Sequence, residues 1–238
     1  MISTLSEVPI FSDIPEDDFS QILPLLKERK FKKNHVLMFE NDQSEDVYIL
    51  RSGIVKVFRI HEGKEIVLSL SSPGDIIGEV EALSNDNHRI SSIEALDHIT
   101  VWLLSRQDFL RIVEKYPSVL RKAYMILVER TRALNRLVRY LTFYDVRAKA
   151  ANLLIDLYYN FGRPDGNIFK IDLKINQSLL ASMLGVTRES VSKTLGDFQH
   201  EGLIDIRGKY LFLLDKNKLE SMCSETEEVP ALRKWTNL

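Results

Sequence analysis

The sequence predicts an α+β chain in three consecutive parts: an antiparallel β-roll, one long helix, and a helix-turn-helix followed by a hairpin wing. Three observations predict it. Residues 30–104 form a series of short β-branched or aromatic runs punctuated by Gly and Pro, the pattern of a closed or sandwiched antiparallel sheet. From Pro117 the apolar spacing changes to a 3.5-residue repeat, the narrow seam of a helix that pairs with another helix. Residues 177–198, QSLLASMLGVTRESVSKTLGDF, place two amphipathic helical stretches around a glycine.

A short helical lead is expected over about residues 15–27. The strands of the roll then read as 36–39, 47–50, 54–58, 66–70, 93–95 and 100–104. Arg51-Ser52-Gly53, His61-Glu62-Gly63-Lys64 and Ser72-Pro73-Gly74-Asp75 supply the turn chemistry between them. In the long helix Leu120, Tyr124, Leu127, Thr131, Leu134, Val138 and Leu141 recur at spacings of 4, 3, 4, 3, 4 and 3. That is three heptads of an a/d seam with one polar interruption, Thr131, and it predicts a parallel homodimer. A helix packed on its own barrel ordinarily needs a wider apolar stripe. The chain breaks at Phe143-Tyr144-Asp145, continues as an amphipathic helix to about Phe161, turns at Arg163-Pro164-Asp165-Gly166, and forms a strand over 168–173.

In the helix-turn-helix, Leu179, Leu180, Met183 and Leu184 line the first helix. Gly185 sits at the turn, where glycine accepts positive φ without steric cost. Thr187 is placed to cap the second helix. There Val191, Leu195 and Phe198 share one face, while Arg188, Glu189, Ser192 and Lys193 project from another near the N-terminal end, where a recognition helix meets base edges. The wing is Leu203–Ile206 and Tyr210–Leu213 around Arg207-Gly208-Lys209, and its two cations are candidates for phosphate contacts. The domains therefore read as 1–115 (roll), 116–142 (dimer helix), 143–220 (winged helix-turn-helix) and 221–238 (tail). In the tail, Glu225, Glu227, Glu228 and Pro230 suggest a mobile end, and Leu232 and Trp235 offer apolar groups that can dock.

Charge is unevenly spread. Residues 1–110 hold 11 Lys/Arg against 19 Asp/Glu (net −8), 111–149 hold 10 against 3 (net +7), and 150–238 hold 11 against 12 (net −1). The DNA-reading segment is thus close to neutral, so affinity must rest on a few placed cations and on doubling in a dimer. No apolar run long enough for a membrane span occurs, and the acidic N-terminus lacks a secretory signal's pattern; a cytoplasmic protein is expected. The single cysteine, Cys223, excludes an intrachain disulfide and a cysteine-ligated iron–sulfur cluster. None of the five histidines forms a His-x-His pair, and no Gly-x-Ser-x-Gly elbow or phosphate-cradling Gly-rich loop is present, so neither a metal site nor catalytic residues are expected.

The order of roll, long helix and C-terminal helix-turn-helix, with IIGEVEAL (76–83) and Arg89, LTFYDVRAKAANLL (141–154), GVTRESVSKTLGDF (185–198) and RGKY (207–210), resembles the CRP/FNR family of bacterial transcription regulators across residues 8–220. The resemblance implies a double-stranded β-helix (jelly-roll) domain of the cyclic-nucleotide-binding type, a homodimer on double-stranded DNA, and RNA polymerase as a partner. It implies that Arg188 and Glu189 read a guanine and a cytosine and that Lys193 reads a further guanine, in a palindrome with TGTGA/TTGAT-like half-sites. Lysine at 193 replaces the commoner arginine and removes a bidentate fork.

For the effector, the family's cassette falls on Gly78, Glu79 and Arg89, the Glu for a ribose hydroxyl and the Arg for a phosphate. Two departures argue against cAMP. Glu81 stands where a small residue is usual beside the phosphate, and Ile90 replaces the hydroxyl residue after the Arg. The hydroxyl pair that meets adenine in cAMP-dependent members is Leu134 and Asn135 here. Glu79 and Arg89 are therefore either effector ligands or an internal ion pair. Haem stays open with His35, His61, His88 and His98 as axial candidates, as does binding to DNA without an effector. The other functional reading is a cyclic-nucleotide-binding module that regulates a protein partner.

Overall fold

The computed structural model describes residues 1–84, 88–166, 168–223 and 233–235. The chain divides into two compact units: residues 1–59 with 68–131, and residues 60–67 with 132 onward.

The first unit holds a β-roll apart from residues 60–67, which are counted with the second. Its strands are β1 (Lys27–Phe31), β2 (Val36–Met38), β3 (Val47–Ser52), β4 (Val55–His61), β5 (Lys64–Ser71), β6 (Ile76–Ile77), β7 (Ser92–Ala95) and β8 (Ile99–Leu104). They form two four-stranded sheets, β1-β8-β3-β6 and β2-β7-β4-β5, and every pairing with a recorded register is antiparallel. Alternation drives the arrangement: Val55 and Val57 on β4 meet Ala95 and Ile93 on β7, and these join Leu50, Ile77, Ile99 and Val101 in one apolar cluster. The six expected strands are present within a few residues. β1 and β6 were not legible, because Lys-Glu-Arg-Lys-Phe has no apolar alternation and Ile76–Ile77 is two residues long.

The N-terminal lead reaches further than its expected helix. Leu5, Val8, Ile10, Phe11 and Ile14 are almost wholly buried and share a core with Val47, Ile49, Trp102 and Leu104. Two 3₁₀ turns, Leu5–Glu7 and Pro9–Phe11, bring them inward, and the Glu7 carboxylate accepts from the Thr4 amide and hydroxyl, each at 2.9 Å. Over the expected helix itself, only α1 (Phe19–Ile22) is α-helical, flanked by 3₁₀ turns. A short helix, α2 (Glu79–Leu83), follows β6, and α3 (Arg106–Lys115) follows β8.

The long helix α4 spans Pro117–Phe143, 27 residues, roughly 40 Å at 1.5 Å per residue. It carries two apolar stripes. Val119, Ala123 and Ile126 are buried in the core of the first unit. The 3.5-residue seam stands on another face: Leu120, Leu127 and Leu134 are each a little under half exposed, Tyr124 is 66% exposed and Val138 60%.

In the second unit Asp145 caps α5 (Val146–Phe161) by accepting from the Ala148 amide at 2.7 Å. β9 (Gly162–Asp165) and β10 (Ile168–Ile171) follow, then α6 (Gln177–Leu184) and α7 (Arg188–His200), then β11 (Ile204–Arg207), β12 (Tyr210–Leu213) and α8 (Lys216–Ser221). The sheet order is β11-β12-β10-β9. The 163–166 stretch, expected as a turn, largely forms β9, whose residues 162–165 pair with β10.

Part of the expected tail is integral to this unit. Arg233 is buried, and its Nη1 donates to Asp156 Oδ1 at 2.8 Å and to the Tyr140 hydroxyl at 3.4 Å, while Nη2 donates to Asn152 Oδ1 at 3.3 Å. The Trp235 amide donates to Asn160 Oδ1 at 2.8 Å, and its ring lies edge-on to Phe161 with centroids 5.7 Å apart. Asp156 also faces Arg136 at 3.7 Å. Burial raises the Asp156 carboxyl against the pull of Arg136 and Arg233, and it pushes the Cys223 thiol up to about 12. Glu225, Glu227, Glu228, Pro230 and Leu232 lie outside the described residues.

Candidate nucleic-acid interface and effector site

The helix-turn-helix is assembled by caps and one close approach. Asn176 caps α6 by accepting from the Leu179 amide at 2.7 Å. Gly185 ends α6 at φ +62°, and a Cβ there would lie 2.9 Å from the Leu141 side chain, so both backbone conformation and space call for glycine. Leu141, assigned to the seam, is half-buried against this turn. Thr187 caps α7 as expected, accepting from the Ser190 amide at 3.2 Å.

Along α7 the two faces separate cleanly. Val191, Thr194, Leu195 and Phe198 are buried, whereas Arg188, Glu189, Ser192 and Lys193 are exposed together. Among the described residues Arg188, Glu189 and Lys193 take part in no ion pair. Their donors and acceptors are therefore unspent. Ser192 Oγ accepts from Gln177 Nε2 at 3.4 Å, which ties the first turn of α6 to the reading face.

The wing differs in detail from expectation. The turn has Gly208 at φ +63°, with Arg207 opposite Tyr210. Lys209 is exposed, with no ion-pair partner among the described residues. Arg207 is already engaged: its Nε donates to Asp205 at 2.7 Å and its guanidinium lies 4.5 Å from the Phe212 ring centroid. The two cations are thus unequal. Lys209 is uncommitted among the described residues, and Arg207 is shared with Asp205.

In the first unit, Gly78, Glu79 and Arg89 come together, but not as the ion pair considered from sequence. Glu79 is 1% exposed and pairs with Arg130 of α4, which also donates to the Ile76 carbonyl at 2.7 Å. Burial raises the Glu79 carboxyl above its usual value, the Arg130 charge working against that rise. Its Oε2 has no hydrogen-bond partner among the described residues. Arg89, also 1% exposed, donates to Ser44 Oγ at 2.8 Å and to the Asp46 carbonyl at 2.6 Å. Its Nη1 stands 3.7 Å from Glu81 Oε2. Gly78, at φ +85°, makes room for it, since a Cβ there would lie 2.5 Å from Arg89 Nη1.

Arg130 is not among the site residues expected from the sequence. The signal was present: it follows Val119, Ala123 and Ile126 at a spacing of 4, 3 and 4, along the inward stripe of α4. Of the histidines, His35 stacks on Phe31 at 4.8 Å and His88 lies 3.3 Å from Gln43 Nε2, while His61 and His98 are exposed. No group of three or more potential metal ligands occurs among the described residues, and no helix there is long and apolar enough to cross a membrane.

A β-roll followed by a long helix and a winged helix-turn-helix with an exposed polar reading face defines a DNA-binding transcription regulator. Residues 28–116 match the cyclic nucleotide-binding domain and residues 148–222 the Crp-like helix-turn-helix domain. A CRP-like cAMP-activated global transcriptional regulator of Mycobacterium tuberculosis is 26% identical over 220 residues, 92% of this chain and 98% of the relative. The cyclic AMP receptor protein of Thermus thermophilus is 26% identical over 197 residues, 82% of this chain and 88% of the relative. The solved structure of a CooA mutant from Carboxydothermus hydrogenoformans aligns with a TM-score of 0.78 at 25% identity, covering 94% of this chain and 98% of that one. The chain belongs to the CRP/FNR family of transcription regulators.

Proposed function

We propose that the protein acts as a homodimer that binds a palindromic DNA site in the cytoplasm and regulates transcription by RNA polymerase there. The observation that carries this reading is the exposed seam of α4, Leu120, Tyr124, Leu127, Leu134 and Val138, in a molecule whose recognition helix presents Arg188, Glu189 and Lys193 outside any ion pair among the described residues. Five large apolar side chains in one row face water in a single copy, and a second copy removes them from it. A two-fold dimer sets two recognition helices about one DNA turn, roughly 34 Å, apart. Arg188 then takes a guanine edge bidentately, Glu189 accepts from a cytosine amine, and Lys193 makes a single-point contact to a guanine one turn further along. Thr187, Ser192, Lys209 and, when released by Asp205, Arg207 fix the register on sugar and phosphate.

The Gly78–Arg89 region is the effector site in this reading, and it fits a cyclic nucleotide poorly. The relatives named above include cAMP-responsive regulators, but here the Arg89 guanidinium already faces Glu81 at 3.7 Å. The test is selection of bound duplexes from a randomised pool by the full-length protein, with sedimentation of the same sample. An enriched inverted repeat and a dimer are expected; a directly repeated or absent motif, or a monomer on DNA, overturns the reading.

A further inference from the structure

We propose that Glu81 is a built-in stand-in for an anionic ligand, so that the roll's anion site is filled by the chain itself. The inference rests on the reading of Gly78–Arg89 as the effector site, and it concerns which ligand charge that site admits.

One carboxylate accepts from an amide and stands in ion-pair range of a guanidinium. Glu81 Oε2 stands 3.7 Å from Arg89 Nη1, and Oε1 accepts from the Ile90 backbone amide at 3.1 Å. A guanidinium and an adjacent amide aimed at one point are the donor set that holds a phosphate or carboxylate. The set is rigid: Arg89 is the largest of the fully buried side chains and is pinned through Ser44 and the Asp46 carbonyl. Glu81 is itself buried, with 8% of its surface exposed, in the first turn of α2.

The charges decide which ligand is admitted. Glu79 and Glu81 are matched by Arg130 and Arg89, and these four groups sum to zero. A ligand phosphate entering beside Arg89 would add an unbalanced negative charge to a buried site, next to a Glu79 oxygen with no donor among the described residues. Removing the Glu81 carboxylate reverses the balance: one positive charge is then left over, with the Ile90 amide open beside it. The wild-type roll therefore holds its anion-site geometry without an outside anion and refuses one.

The experiment titrates full-length wild type, Glu81→Ala and Glu81→Gln with cyclic AMP and, separately, inorganic phosphate, by calorimetry and by thermal unfolding. Wild type is expected to show no binding heat and no thermal shift. Glu81→Ala is expected to melt lower than wild type without anions, to recover when they are added, and to bind them at least about tenfold more tightly than wild type, the factor of one ordinary unfavourable charge contact. Glu81→Gln keeps the side-chain volume and an acceptor for Ile90, so it answers the same question should the alanine variant unfold. Wild-type binding as tight as that of the variants, or folded variants indifferent to anions, overturns the proposal. A third variant, Arg89→Ala in the Glu81→Ala background, separates the two readings: if it still binds the anion, the effector-site assignment itself is wrong.

Discussion

Arg130→Ala tests a contact by which α4 neutralises a buried acid of the roll. Glu79 is 1% exposed and faces Arg130. Without that guanidinium the carboxyl escapes an isolated buried charge by staying protonated. Starting from its ordinary value of 4.5, holding a proton at pH 7 costs about 1.36 kcal/mol per unit, a ceiling of about 3.4 kcal/mol. Losing the Arg130 bond to the Ile76 carbonyl adds about 1 kcal/mol. Burial already raises Glu79 in the wild type, so part of that ceiling is present in both proteins, and about 2–4 kcal/mol is expected at pH 7. The sign with pH follows. A carboxyl whose folded value lies above its unfolded one contributes stability that is complete below the unfolded value and is lost as pH rises through the folded value. The variant's deficit must therefore shrink on going from pH 7 to pH 5, where the ceiling falls to about 0.7 kcal/mol. The assay is urea unfolding followed by Trp102 fluorescence in a Trp235→Phe background, since Trp102 sits in the roll core and these are the two tryptophans of the chain. Adding Glu79→Gln should recover most of the loss at pH 7. A deficit below 1 kcal/mol, or one equal at pH 5 and pH 7, refutes the reasoning.

Three further outcomes are expected. Arg188→Ala should weaken binding to a selected operator by about 1–3 kcal/mol and relax preference at one base pair of each half-site; unchanged affinity and selectivity in competition binding would remove Arg188 from base reading. Leu127→Glu, which sets like charges against each other across the seam, should sediment as a monomer at concentrations where the wild type is a dimer; a surviving dimer counts against the seam. Arg233→Ala should destabilise the second unit by about 2–3 kcal/mol, less than the 3–5 of a lone buried charge because Arg136 still faces Asp156; a change within 0.5 kcal/mol, followed by Trp235 fluorescence, would mean that the docked C-terminal residues hold nothing together.

What the sequence made legible follows from where periodicity is strong. Runs of β-branched and aromatic residues located β2, β3, β4, β5, β7 and β8 of the roll, the 3.5-residue repeat located α4 and its exposed seam, and Gly185 with Thr187 located the turn and cap of the helix-turn-helix. The misses share a cause as well. Leu5, Val8, Ile10, Phe11 and Ile14 are buried by 3₁₀ turns, whose short runs have neither a 2.0 nor a 3.6 period. Ion pairing was harder still, because partners distant in sequence are brought together only by topology. Glu79 meets Arg130 across 51 positions, and Asp156 meets Arg233 across 77. Glu79 follows Gly78 and Arg89 packs against that glycine, yet each charge is matched by a different residue. Composition cannot choose between partners of equal charge.

The same pairing is why the proposed function relies on a dimer. Many cations of the second unit are already engaged: Arg147 with Glu201, Arg163 with Asp172, Arg207 with Asp205 and Lys216 with Glu220. On the reading face and wing, Arg188, Lys193 and Lys209 are left to meet DNA without first breaking an ion pair among the described residues. Each neutralised phosphate contributes through counterion release, and about three such contacts yield only the weak, salt-sensitive attachment typical of non-specific binding. In the proposed dimer, coupling two copies through α4 would make the second half-site's binding intramolecular, so that the modest term from each face would count twice against one loss of translational freedom. Under the proposed function, the specificity of Arg188 and Glu189 would be expressed only on a site repeated with the dimer's symmetry, because a lone half-site engages one face and leaves the other without a partner.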